Sequence, residues 1–210
     1  MANVFREDNF IKLCDKVIRI DSRLRQVTNA FGYPPFWHRP PTFETLILTI
    51  LEQQVSLAAA AAAYNKLEIK TGKVTPENIL CLTGQELSEC YFSRQKIIYA
   101  RHLASEIVNG NLNLKILNTK SAIEIRNELT KIKGIGDWTV DTYLLMSLHH
   151  ADIFPVGDLA TVKSMKELNL VKPDSSKEEL ISYMKRFSPY RSIATYLLWH
   201  SYIRKRGLKL

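Results

Sequence analysis

The chain has 210 residues, 46% of them hydrophobic, and a formal net charge of +8 at pH 7. That is enough for one sizeable globular unit or two small lobes with a real core, and the basic balance suits a polyanionic partner. Three widely spaced cysteines without a CxxC pair (Cys14, Cys81, Cys90) argue against a disulfide framework, a zinc site and a four-cysteine iron–sulfur cluster, and no run of about 18 apolar residues is present to cross a membrane.

The opening MANVFREDNF is charged and carries no apolar signal core, so an intracellular, reducing location is expected, cytoplasmic in a prokaryote or nuclear in a eukaryote. Phe10, Leu13, Cys14, Val17 and Ile18 recur at helical spacing and predict an amphipathic helix. GYPPFWHRPP, Gly32 to Pro41, is a proline-rich break and the best internal boundary. Thr42 is placed to cap a helix through Leu46, Ile50 and Leu51, and Ser56 to cap the alanine run Ala58 to Ala63, expected as a buried helix stopped by Gly72. Thr75-Pro76 starts a short helix, Thr83 and Glu86 read as a capping box, and Ser93 caps a helix to Asn109 with Gly110 as its stop. LNLKIL, Leu112 to Leu117, alternates but has no partner strand. Ser121 begins a helix to about Lys131, Asp137 the next to about His149, and Asp158 another to about Asn169. Ser175/Glu178 or Ser176/Glu179 boxes the following helix, and Pro189 precedes a last one carrying Tyr196 and Trp199. The pattern is all-α, nine or ten helices, with no tandem repeat.

LTKIKGIGDWTVD, Leu129 to Asp141, is the most informative stretch. Two glycines flank one isoleucine between helical patterns. Glycine reaches backbone conformations that a tight reversal needs, and its missing side chain lets a phosphate approach the amides of the next helix start. Ile132 and Ile135 would anchor the turn, with Lys131 and Lys133 adding charge; an ordinary αα-turn accounts for GxG equally well. Asp137 sits awkwardly for a phosphate but favourably for its own helix N-terminus. Twenty-two residues after Gly136 comes Asp158, behind FPVG and at a helix head. It reads as a plain N-cap, or as a rigidly held carboxylate that stabilises positive charge on a sugar ring or orients a water. Trp37, Trp138 and Trp199 read as core packing or as stacking surfaces for an extruded base. The five histidines show no metal-ligand spacing. Other basic residues cluster as Lys96 with Arg101 and as Arg204, Lys205, Arg206 and Lys209.

Four segments carry a family likeness: Ile50 to Ala62, Phe92 to Ala104, IKGIGDWT with VGD, and Tyr190 to Trp199. In these the chain resembles the helix-hairpin-helix (HhH-GPD) base-excision DNA glycosylases, and within them the 3-methyladenine glycosylase II type. The resemblance implies two helical lobes, about 42–155 and about 1–41 with 156–210, with a helix-hairpin-helix motif and an active-site cleft between them. It implies Asp158 as the catalytic aspartate and Trp138, Trp199, Thr142, Gln53 and Gln54 as base-pocket positions. Lys131, Lys133, Gly134, Ile135 and Gly136 would bind the DNA backbone, with Phe92 or Arg94 filling the vacated base stack. A monovalent cation on the backbone carbonyls of Thr130, Ile132 and Ile135 is implied, and no other cofactor. Lyase-competent relatives carry a nucleophilic lysine where this chain has Trp138, so water is the expected nucleophile. The implied activity is hydrolysis of alkylated purines from duplex DNA, by a monomer, leaving an abasic site. There are departures. The N-terminal β-rich lobe common in this type is missing, as in compact members. Tyr91 stands where glycine often precedes the second segment, and Thr142 where the bacterial type has tyrosine. A non-catalytic DNA-binding module and a helical protein scaffold are the competing readings.

Overall fold

The computed structural model describes residues 4–208, so Lys209 of the terminal basic cluster lies outside the described residues. Those residues form α1 (Glu7–Ile20), α2 (Arg25–Phe31), α3 (Phe43–Glu52), α4 (Leu57–Thr71), α5 (Pro76–Cys81), α6 (Gly84–Glu89), α7 (Arg94–Val108), α8 (Ala122–Leu129), α9 (Asp137–Met146), α10 (Leu159–Glu167), α11 (Lys177–Met184) and α12 (Arg191–Lys205), with 3-10 turns at Ser22–Leu24, Leu114–Thr119 and Lys185–Phe187. Among the described residues there is no strand, only an isolated bridge between Val4 and His150, and no helix long and apolar enough to cross a membrane. The LNLKIL alternation therefore became a 3-10 turn.

The chain divides into two compact units: Arg39–Tyr143, and the residues up to His38 together with those from Leu144 onward. The first junction lies in the proline-rich break. The second lies inside α9 rather than near residue 155, because buried residues from Val140 to Met146 keep that helix continuous across it. α9 stops three residues short of the expected His149, which takes a left-handed φ of 50°.

In the discontinuous unit, α12 is buried along most of its length and α1, α2 and α10 pack against it. A helix apolar on so many sides belongs at a core's centre. α1 buries the stripe read from sequence, Phe10, Leu13, Cys14, Val17 and Ile18. α2 shows no helical period in the sequence because Val27 is its one buried residue.

In the Arg39–Tyr143 unit, α7 packs against α3, α5 and α6. Local capping chemistry sets most boundaries. Ser56, Thr75, Thr83, Ser93 and Ser121 each accept a backbone N–H at their helix start, with Glu86 and Glu124 closing capping boxes. In the other unit the box after Pro173 is Ser176/Glu179. Thr42 stands at the N-cap of α3 without a side-chain bond; Thr45 Oγ1 instead donates to the Pro40 carbonyl at 2.6 Å. The alanine run does not bury as a whole. Ala60 and Ala63 pack inward with Leu67 while Ala58, Ala59, Ala61 and Ala62 stay exposed, since a single neighbouring helix covers only one stripe.

Candidate active site

The glycine turn joins α8 to α9 and is built within the Arg39–Tyr143 unit. Gly134 has φ of 88°, and a Cβ there would lie 2.0 Å from Cγ of Tyr99. Glycine is required twice over, for conformation and for space. Gly136 differs: its φ is not left-handed and a Cβ would meet nothing within 4 Å. The sequence reading that both glycines serve the reversal holds for Gly134 alone; Gly136 leaves open surface at the start of α9. Ile132 and Ile135 are buried anchors, and Lys131 and Lys133 are exposed beside them. The Lys133 amide donates to Nδ1 of His102 at 3.1 Å, which pins the turn to α7. Asp137 and Asp141 both pair with Arg126 of α8. Burial pulls the Arg126 guanidinium down, but its hydrogen bonds to Asp141 and Asp137 win and hold it above its ordinary pKa. Asp137 thus shares the Arg126 charge with Asp141 across the hairpin.

Gln53 has a different role from the base-pocket one expected. Its Nε2 donates to the Gly134 carbonyl at 2.9 Å and to Thr139 Oγ1 at 3.0 Å, tying the end of α3 to both sides of the hairpin. Gln54 next to it is exposed with φ of 59°, a conformation unusual for a residue with a side chain. Phe92 is 3% exposed and belongs to the core, so it has no means of entering a base stack. Arg94 is exposed at the head of α7. Tyr91, exposed, has φ of 65°, a left-handed conformation that glycine adopts at less cost. Lys96 and Arg101 are removed from the basic surface: Lys96 Nζ donates to the Leu51 carbonyl at 2.7 Å and Arg101 to the Leu82 carbonyl at 2.6 Å. Burial lowers the Lys96 pKa accordingly. Trp138 and Thr142 lie on α9, Trp138 half-buried and Thr142 buried with a hydroxyl that meets no acceptor or donor among the described residues. Of the three carbonyls proposed for a cation, that of Ile132 already accepts the Ile135 amide at 3.0 Å. A carbonyl has a second lone pair, and neutral hard oxygens suit an alkali cation, so the donor set fits such an ion.

Asp158 stands in the discontinuous unit as the N-cap of α10, 8% exposed. Three donors converge on its Oδ1: the Thr161 amide at 2.7 Å, Thr161 Oγ1 at 2.7 Å and Nε1–H of Trp199 at 2.8 Å. Capping and fixation are one arrangement, as the sequence suggested. Trp199 is 7% exposed and packed beside Trp37 and Tyr196 at ring-centroid distances of 6.4 and 5.8 Å. Its edge, not only its face, is engaged, and that role left no mark in the sequence. Arg204 and Lys205 end α12, where Lys205 and Arg206 pair with Glu167, so this terminal cluster is partly neutralised.

The model of the HhH-GPD superfamily base excision DNA repair protein matches residues 47–189. The chain belongs to the HhH-GPD superfamily. Among HhH-GPD relatives, DNA-3-methyladenine glycosylase 1 of Schizosaccharomyces pombe is 29% identical over 161 residues, covering 75% of this chain and 71% of its own length. The alkylbase DNA glycosidase-like protein mag2 of the same yeast is 30% identical over 167 residues, covering 77% and 78%. The solved structure of the Schizosaccharomyces pombe 3-methyladenine DNA glycosylase Mag1 with abasic DNA superimposes with a TM-score of 0.82 at 27% identity, covering 90% of this chain and 95% of that one.

Proposed function

We propose that this HhH-GPD chain is a monofunctional DNA glycosylase that releases alkylated purines of the 3-methyladenine type from duplex DNA. The observation that carries the reading is Asp158: a buried carboxylate whose Oδ1 is fixed by Trp199 and Thr161 at a helix head. Names of relatives that act on 3-methyladenine, and the likeness to an abasic-DNA complex, support it.

Backbone contacts at Gly134 to Gly136, with Lys131 and Lys133, would hold the strand without reading its sequence. The damaged nucleotide swings out of the stack, with Trp138 and Trp199 as base-pocket indoles and Arg94 as the remaining stack-filling candidate. As the bond from C1′ to the purine nitrogen breaks, the electron pair leaves with the base and positive charge develops on the deoxyribose. Asp158 stabilises that charge and aligns a water, whose oxygen bonds to C1′ while its proton passes to the Asp158 carboxylate. A cationic alkylated purine is already an activated leaving group, so one carboxylate suffices. Trp138 in place of a nucleophilic lysine leaves water as the nucleophile. An alkali cation on the carbonyls of Thr130, Ile132 and Ile135 would add positive potential at the hairpin, and a monomer suffices for the task. The test is base release from methylated DNA by Asp158→Asn: a loss of about a thousandfold is expected, and undiminished release removes Asp158 from the mechanism.

A further inference from the structure

We propose that Trp199 is a positioning residue that acts through its indole N–H, and that Trp37 and Tyr196 are the buttress holding it. The inference rests on Asp158 being the catalytic group and adds how that group is aimed.

Trp199 donates Nε1–H to Asp158 Oδ1 at 2.8 Å, and both side chains are buried. A charged acceptor strengthens such a bond, and a buried one is shielded from competing water. Thr161 supplies two further donors, through its amide and its hydroxyl, from the first turn of α10. These come from one residue on one side of the carboxylate. The indole reaches the same oxygen from α12, 41 residues away, so the carboxylate is gripped from two elements.

The indole in turn is locked from behind. Tyr196 Oη donates to the Trp37 carbonyl at 2.7 Å, and the Trp37 ring lies 5.3 Å from Tyr196 and 6.4 Å from Trp199. Tyr196 is itself 5.8 Å from Trp199. This gives the proline-rich segment Gly32 to Pro41 a function. Prolines restrict its backbone, and the restricted backbone holds Trp37 against the aromatic pair. The line of support runs from Trp37 to indole to carboxylate within one unit. An oriented carboxylate matters most where positive charge appears, in the oxocarbenium-like transition state, and little for intact duplex or product.

The test compares two abasic duplexes, one with a cationic pyrrolidine in place of the sugar and one with neutral tetrahydrofuran. The variants are Trp199→Phe and a chain whose Trp199 carries sulfur in place of the indole N–H, which keeps the ring's shape if Trp199→Phe unfolds. Loss of one hydrogen bond to a charged group should lower the preference for the cationic duplex, and the single-turnover rate of base release, by about ten- to a hundredfold. Tetrahydrofuran-duplex affinity should stay within about twofold, since that ligand carries no charge for the carboxylate to meet. Unchanged preference and rate in both variants overturns the inference. So does an equal loss on both duplexes, which marks a structural role. Asp158→Asn separates the layers: if it keeps the full cationic preference and rate, the reading of Asp158 fails; if it loses both while the Trp199 variants keep them, only the present inference fails.

Discussion

Gly134→Ala and Gly136→Ala differ by one methyl in the same turn, yet opposite consequences follow. At Gly134 the new Cβ faces two penalties. Left-handed backbone costs a side-chain-bearing residue roughly 1–2 kcal/mol. The methyl would also lie 2.0 Å from Tyr99 Cγ, with Cδ2 at 2.2 Å and Cδ1 at 2.4 Å, the root of a ring rather than a flexible tip. Displacing a packed ring costs about 1–3 kcal/mol more. The sum, about 2–5 kcal/mol, is a large share of a typical stability, and at this chain length it should lower Tm by about 6–15 °C. Gly136 has neither penalty, so its alanine variant should melt within about 1 °C of the parent. If Gly136 is smooth so that a phosphate can sit close, Gly136→Ala should still weaken binding to abasic duplex. The assay is thermal unfolding paired with a fluorescence titration of duplex. Adding Tyr99→Ala to Gly134→Ala should recover the packing part and leave the backbone part. A Gly134→Ala protein as stable as the parent, or a double variant with no recovery, would refute the reasoning.

Gln53→Ala removes two hydrogen bonds that tie α3 to the hairpin, and should cost about 1–3 kcal/mol in urea unfolding; no loss would show the tie is incidental. Lys131→Ala and Lys133→Ala should each flatten the slope of log affinity against log salt by roughly one, and an unchanged slope would remove that lysine from the phosphate contacts. His149 gives a pH signature. Its Nε2 lies 2.9 Å from Nδ1 of His38, and burial first, then the His38 neighbour, lower its pKa from 6.5 to about 4, in a recess also lined by Arg6, Glu7, Phe5 and Phe36. The unfolded chain therefore binds a proton between pH 6.5 and 4 that the folded one refuses. Stability present above pH 6.5 is lost as pH falls through that window, by about 3 kcal/mol in all, and the loss levels off below pH 4. A His149→Gln variant should lack that step; parallel pH profiles would refute the assignment.

What the sequence made legible was local. Ser56, Thr83/Glu86, Ser121 and Asp158 announced their helices because a cap and its partner lie within three or four residues. The hairpin and the acid were likewise readable as short patterns. What failed or stayed hidden depends on residues far apart in the chain. Gln53 meets Gly134 across 81 positions, Trp199 meets Asp158 across 41, and the space denied to a side chain at Gly134 is filled by Tyr99 from another helix. Phe92 looked like a protruding wedge because an aromatic in a resembling segment carries no sign of which side of its backbone is covered. Charge misled for the same reason: Lys96 and Arg101 add to a net count, yet their heads close helix-end carbonyls.

The same locality makes Asp158 dissectible. The residue is at once cap and candidate catalyst, so an alanine there confounds the two. Asp158→Ala removes the acceptor for Thr161 and Trp199 and should destabilise by about 1–2 kcal/mol, the usual cost of an emptied N-cap, with the buried donors adding to it. Asparagine caps as well as aspartate, and its carbonyl oxygen can accept from the same three donors, so Asp158→Asn should melt within about 2 °C of the parent. It lacks the negative charge that a developing cation needs. Native stability with base release lowered about a thousandfold is therefore the expected pair of results for asparagine, against a joint loss for alanine. If asparagine lowers stability as much as alanine does, the charge is holding the fold together, and loss of activity in either variant would say nothing about chemistry.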